Sequence, residues 1–135
     1  MPDPVAYRWV DHASELELEI DAPTESGVFL AALEAFAELV ADEPGPAGEM
    51  RALEVQGDDL AGLLVAWLEE LAFLAETEGF VPAEATALEL DVTGLRATVA
   101  GRSADPRHLV KAVTLHRLLF APDGDRWRAR VVLDV

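Results

Sequence analysis

Cysteine is absent from the 135-residue chain, and lysine occurs once, as Lys111. The missing cysteine rules out disulfides, thiolate zinc sites and cysteine nucleophiles. No run of about 18 apolar residues occurs, so no segment reads as a membrane-spanning helix. The opening MPDPVAYRWVDH has neither a basic nor an apolar signal region, so no secretory signal is expected and the cytoplasm is the default location. Enzyme signatures are missing too: there is no Gly-rich phosphate loop, no GxSxG elbow and no HExxH. The three histidines, His12, His108 and His116, lack the spacing of a transition-metal site. With 26 acids, no single carboxylate pair stands out for glycoside chemistry.

What is present reads as globular: 51% of residues are hydrophobic and 27% charged. A domain commonly takes roughly 100–200 residues, so residues 1–135 read as one domain able to bury its own core. Ten basic residues stand against 26 acids, a net charge of −16. Such a surface does not wrap nucleic acid as a whole, because phosphate contacts need Lys and Arg. The charge is also segregated. Residues 1–95 hold two arginines against 22 acids, and residues 96–135 hold eight basic residues against four acids. An acidic body with a mildly basic C-terminal segment suits a protein partner with a basic surface. Plain solubility accounts for it equally well.

Periodicity divides the chain. Residues 5–10 read as a short strand. Leu16, Leu18 and Ile20 alternate with Glu15, Glu17, Glu19 and Asp21, which is a strand with an acidic outer face. From Thr24 or Ser26, as caps, a helix buries Phe29, Leu33, Phe36, Leu39 and Val40. Residues 49–56 alternate again. A second helix opens at Asp58 or Asp59, buries Leu60, Leu63, Leu64, Trp67, Leu68, Leu71 and Leu74, and closes at Gly79. Trp67 and Phe73 read as core aromatics. Two hairpins follow: 85–92 with 95–101 around Thr93-Gly94, and 108–120 with 126–134 around Pro122-Asp123-Gly124-Asp125. The order β-β-α-β-α-β-β-β-β predicts an α+β two-layer sandwich, a mixed sheet with two helices on one face.

Two segments break this pattern. Trp9 to Glu15 puts Asp11, His12 and Ser14 at a strand junction, where ligand groups can gather or where polar side chains simply cap the turn. Near the end, Val131-Val132-Leu133-Asp134-Val135 sets a carboxylate beside the α-carboxylate, an oxygen cluster suited to Mg²⁺ or Ca²⁺ or, alternatively, an edge solubility device. Lys111, among small and β-branched neighbours, is either an exposed charge or a compact cation that holds a carboxylate or phosphate.

In this order, these segments resemble the archease family over nearly the whole chain. Asp11-His12-Ala13-Ser14-Glu15-Leu16 is similar to the family's D-H-T-A-D-I motif. Asp59 to Leu71 is similar to its D-L-x-x-L-L-x-x-W-L-x-E-L helix. Val110-Lys111-Ala112-Val113-Thr114-Leu115-His116 is similar to K-A-V-T-Y-H, and Val132-Leu133-Asp134-Val135 to the V-x-D-V terminus. The resemblance implies an accessory protein of the RtcB-type RNA ligase, the GTP- and manganese-dependent enzyme of tRNA splicing and RNA repair. Such a protein speeds guanylylation of the ligase and its turnover and is not itself an enzyme. The resemblance also implies a divalent-cation site, with Glu15 and Asp134 as its acids; the Val135 carboxylate beside Asp134 is a further candidate ligand, and calcium, magnesium or manganese the ion. Lys111, with Asp11, His12 and His116 of the motifs, would serve activation. Two other classes stay open: a stand-alone metal-dependent hydrolase or nucleotide-binding enzyme, and a chaperone-like binding module whose cation is structural.

Overall fold

A computed structural model describes residues 5–12, 14–41, 47–106 and 110–135, with the backbone alone described at His12. His108 and Ala13 therefore lie outside the described residues. Seven strands and two helices follow the expected order: β1 (Ala6–His12), β2 (Glu15–Ala22), α1 (Glu25–Val40), β3 (Glu49–Gln56), α2 (Leu60–Glu78), β4 (Phe80–Leu90), β5 (Gly94–Ser103), β6 (Ala112–Asp123) and β7 (Arg126–Asp134).

Local chemistry sets the helix ends. The Thr24 side chain accepts from the Gly27 amide at 3.0 Å and starts α1, and Asp59 accepts from the Gly62 amide at 2.7 Å and starts α2. Gly79 closes α2 with φ at +62°, a left-handed turn that costs glycine no Cβ clash. Leu63, Leu64, Trp67, Leu68, Leu71 and Leu74 of α2 are buried, as their spacing predicts. Phe73 is not: it stands 53% exposed. Six residues past Trp67, it is turned about 120° away from that side chain on a helix of 3.6 residues per turn.

The α+β class holds, and the strands form two sheets, antiparallel at every pairing, instead of one mixed sheet. One sheet has the order β1-β2-β7-β6 and the other β3-β5-β4. Short turns explain the direction: β1–β2, β4–β5 and β6–β7 are hairpins, whereas parallel neighbours need long crossovers. In the β4–β5 turn, Asp91 Oδ1 accepts from the Thr93 and Gly94 amides, both at 2.9 Å. Strand β4 starts at Phe80, five residues earlier than the hydrophobic pattern suggests. Pro82 is tolerated inside it because β4 is an edge strand with irregular register after Pro82.

The helices pack on each other and on both sheets. They bury the inner face of the first sheet, namely Leu18, Ile20, Ala22, Ala129, Val131 and Leu133. Trp67 Nε1 donates to the Phe29 carbonyl at 3.0 Å and ties α2 to α1 inside the core. Among the described residues no helix is long and apolar enough to cross a membrane.

Candidate functional site

The first sheet gathers its unusual chemistry at one end. Residues directly opposite each other in antiparallel strands share a face. Glu15 of β2 stands opposite Asp134 of β7 on one side and opposite His12 of β1 on the other, and Asp134 in turn stands opposite Ala112 of β6. The next row is bonded through the backbone: Lys111 N donates to Asp134 O at 2.8 Å, and Val135 N donates to Ser14 O at 3.2 Å. Ser14 makes the tight β1–β2 turn with φ at +58°, a left-handed conformation rare outside glycine and asparagine. The β1–β2 turn, the start of β6 and the end of β7, three segments distant in sequence, thus meet at one end of the sheet.

Glu15 and Asp134 carry like charge at paired positions, an arrangement that destabilises a sheet. Neither makes an ion pair among the described residues. Lys111 is exposed one residue before β6 starts, beside this pair in the bonding pattern. Among the described residues no group of three or more His, Asp and Glu side chains is placed to hold a metal ion. Two carboxylates alone fall short of the roughly six or more oxygens that a hard cation takes.

The structure does not bring every motif residue here. Asp11 stands opposite Leu16, so its side chain leaves on the other face of the sheet. His116 is exposed, and its amide donates to Thr114 Oγ1 at 3.3 Å. It belongs to an irregular stretch of β6. Thr114 pairs with Val132 and Leu119 with Arg130, so residues 115–118 of β6 face the single residue Val131 of β7. These extra residues form a broad bulge with Arg117 at φ +59°.

The bulge folds over the outer face, and it reveals a residue that alternation concealed. Glu17 sits on the acidic outer side of β2 yet is only 2% exposed. Its Oε1 lies 3.0 Å from Arg117 Nη1, an ion pair without the alignment of a hydrogen bond. The Arg117 carbonyl accepts from Arg130 Nε at 2.8 Å, so β7 pins the bulge from below. Further along this face Arg8 pairs with Glu19, Arg126 with Asp21 and Arg128 with Asp123. The Arg8 hydrogen bond holds the Glu19 carboxyl below the usual glutamate range. The signal for this face was in the sequence: Arg126, Arg128 and Arg130 at every second position of one strand share a side.

An α+β domain with two antiparallel sheets, two core helices and a carboxylate pair where β2 meets β7 is a recognisable class, and comparison with known proteins places it. The Archease protein family (MTH1598/TM1083) matches residues 7–135. The chain is 32% identical to the protein archease of Pyrobaculum islandicum over 98% of its own length and 97% of that protein. It is 30% identical to the protein archease of Methanopyrus kandleri over 93% and 96%. The solution structure of Methanobacterium thermoautotrophicum protein 1598 superposes with a TM-score of 0.77 at 26% identity, covering 96% of this chain and 98% of that one. A Thermotoga maritima crystal structure, described as an archease and possible chaperone, superposes at 0.67 with 19% identity over 100% and 98%, a likeness of fold. The chain belongs to the archease family.

Proposed function

We propose that this archease activates an RtcB-type RNA ligase, raising the rate of its GTP-dependent guanylylation and its turnover in cytoplasmic tRNA splicing or RNA repair, and that it performs no chemistry of its own. Family membership supports the reading. The observation that carries it is the opposed pair Glu15 and Asp134, without counter-ions among the described residues, with Lys111 bonded into the same sheet end.

In this reading Glu15, Asp134 and the Val135 main-chain oxygens hold one divalent cation, calcium, magnesium or manganese, each of which takes hard oxygen donors. Bound there, the ion would supply positive charge for phosphate oxygens of the partner's nucleotide. In the same reading Lys111, bonded to Asp134 through its backbone and in no ion pair with either carboxylate among the described residues, balances their charge in the loaded site or touches a triphosphate of the partner. In this reading His12, His116 and Asp11 contact the ligase from outside the carboxylate pair, Asp11 from the other face of the sheet and His116 from the β6 bulge. The net charge of −16 draws the protein to the basic surface that an RNA-joining enzyme must present.

The test is guanylylation of a purified RtcB-type ligase with the wild-type protein and with Asp134→Ala and Lys111→Ala. Both variants are expected to lose stimulation while keeping the wild-type melting temperature. Stimulation equal to wild type from both would overturn the assignment of the site. Full stimulation after the divalent ion is stripped would point instead to a chaperone-like binding module with a structural cation.

A further inference from the structure

The outer face of the first sheet holds a cavity of about 360 Å³, open to solvent and lined by Arg8, Glu19, Asp21, Leu119, Arg128 and Arg130 among others. Three arginines against two acids make this lining net positive in a chain of charge −16. A larger cavity of about 790 Å³ on the second sheet has the opposite balance, with Glu54, Asp58, Glu89 and Asp91 against Arg96.

Arg130 sets this cavity apart. The other arginines of this face, Arg8, Arg117, Arg126 and Arg128, each pair with a carboxylate. Arg130 has no carboxylate within ion-pair distance among the described residues, although Glu19 stands opposite it in register, because Arg8 takes Glu19. Its Nε is already committed to the Arg117 carbonyl at 2.8 Å, and the residue is half-buried. The guanidinium is therefore fixed in place with both Nη groups still available. A fixed fork of donors loses little entropy on capturing an anion.

We propose that this cavity binds a phosphoryl group, held by Arg130 from β7 with Arg8 from β1 and Arg128 closing the rim. A phosphate offers three oxygens in a tetrahedron, so arginines on separate strands can each take one; a carboxylate offers two oxygens in a plane and suits one arginine. The cavity shares its face with the carboxylate pair, about 13 Å away along β2 from Glu19 to Glu15. A phosphorylated ligand seated at Arg130 would lie along the path to the sheet end. Resting here on the ligase reading, the phosphoryl group comes from a nucleoside triphosphate or from an RNA terminus.

The experiment is a titration of the ¹⁵N-labelled full chain with inorganic pyrophosphate, read by amide shifts of β2 and β7, on the wild type and on Arg130→Gln, Arg128→Gln and Arg96→Gln. Arg96, on the second sheet, controls for loss of one positive charge. Saturable shifts at millimolar pyrophosphate are expected, with Kd raised at least tenfold by Arg130→Gln, severalfold by Arg128→Gln and less than twofold by Arg96→Gln. Arg128 anchors no backbone, so weakening in that variant separates lost anion contact from a displaced bulge. The proposal is overturned if the wild type shows no saturable shift, or if Arg128→Gln binds like Arg96→Gln. Two further arms, a nucleoside triphosphate and a 3′-phosphorylated trinucleotide beside its 3′-hydroxyl form, identify the source by which binds tighter. No ligase enters this assay, so its failure and that of the ligase reading are separate.

Discussion

Arg117→Gln and Glu17→Met should destabilise the protein very unequally, although they break the same ion pair. Glu17 is 2% exposed, while the Arg117 side chain keeps 46% of its exposure. Removing Arg117 strands a carboxylate that has already lost its water and whose Oε1 has no hydrogen bond. Breaking a fully buried pair in this way costs about 3–5 kcal/mol. The half-exposed arginine screens the interaction, so a cost of about 2–3 kcal/mol is expected here. Removing Glu17 instead frees an arginine that water can solvate and puts an apolar side chain of similar length into a buried slot beside Val132, which is itself 2% exposed. That change should fall within about 1 kcal/mol of wild type, in either direction. For a chain of this size each kcal/mol moves the melting temperature by about 4 °C, so Arg117→Gln should lower it by about 8–12 °C. Urea unfolding of the two single variants and the double variant measures this. The double variant should resemble Glu17→Met, since the stranded charge is gone. Arg117→Gln as stable as wild type, with Glu17→Met the more damaging change, would refute the argument that burial of the carboxylate dominates.

Other substitutions test the frame that carries this face. Trp67→Phe removes a fully buried indole and its 3.0 Å bond to the Phe29 carbonyl; a loss of about 2–3 kcal/mol is expected in the urea midpoint, and a loss below about 1 kcal/mol would contradict the core assignment. Gly101→Ala would bring a Cβ to 2.4 Å from the Val81 carbonyl oxygen and 2.5 Å from Phe80 Cζ, so about 1–3 kcal/mol should be lost, whereas Gly48→Ala, with open space around it, should change little. Glu19 has its carboxyl held low, so its pair with Arg8 contributes stability above the unfolded glutamate value near 4.3 and loses it as pH falls through the lower folded value. The stability gap between wild type and Arg8→Gln should therefore shrink below about pH 4; a gap constant with pH would contradict the pairing.

Much of the fold was legible because local signals agreed. Asp59 and Gly79 bracket α2, and the alternation that buries Leu53 and Val55 marks β3 at Glu49–Gln56, as observed, with Met50 out of phase and exposed. The exposed Phe73 was misread by residue type where helical phase decides. The early start of β4 was hidden by Pro82, which argues against a strand unless the edge position is known. The division into two sheets depends on which strands β5 and β7 choose as second partners, a long-range decision that no local pattern carries. At the candidate site the motifs located Glu15, Lys111 and Asp134, and the pairing of β2 with β7 brings them to one end. Burial of Glu17 was not legible. It depends on a bulge whose left-handed Arg117 has no glycine or asparagine to announce it. Asp11 and Glu15 looked like one cluster in sequence, yet they leave opposite faces of the sheet, because four residues around a tight turn do not preserve side.

The most direct measurement is single-turnover guanylylation of a purified RtcB-type ligase with GTP and divalent metal, with and without this protein. A higher rate in its presence, at protein concentrations below that of the ligase as well as at equal ones, is what the account predicts. The same rate with and without it, under conditions where another archease accelerates its own ligase, would contradict the account.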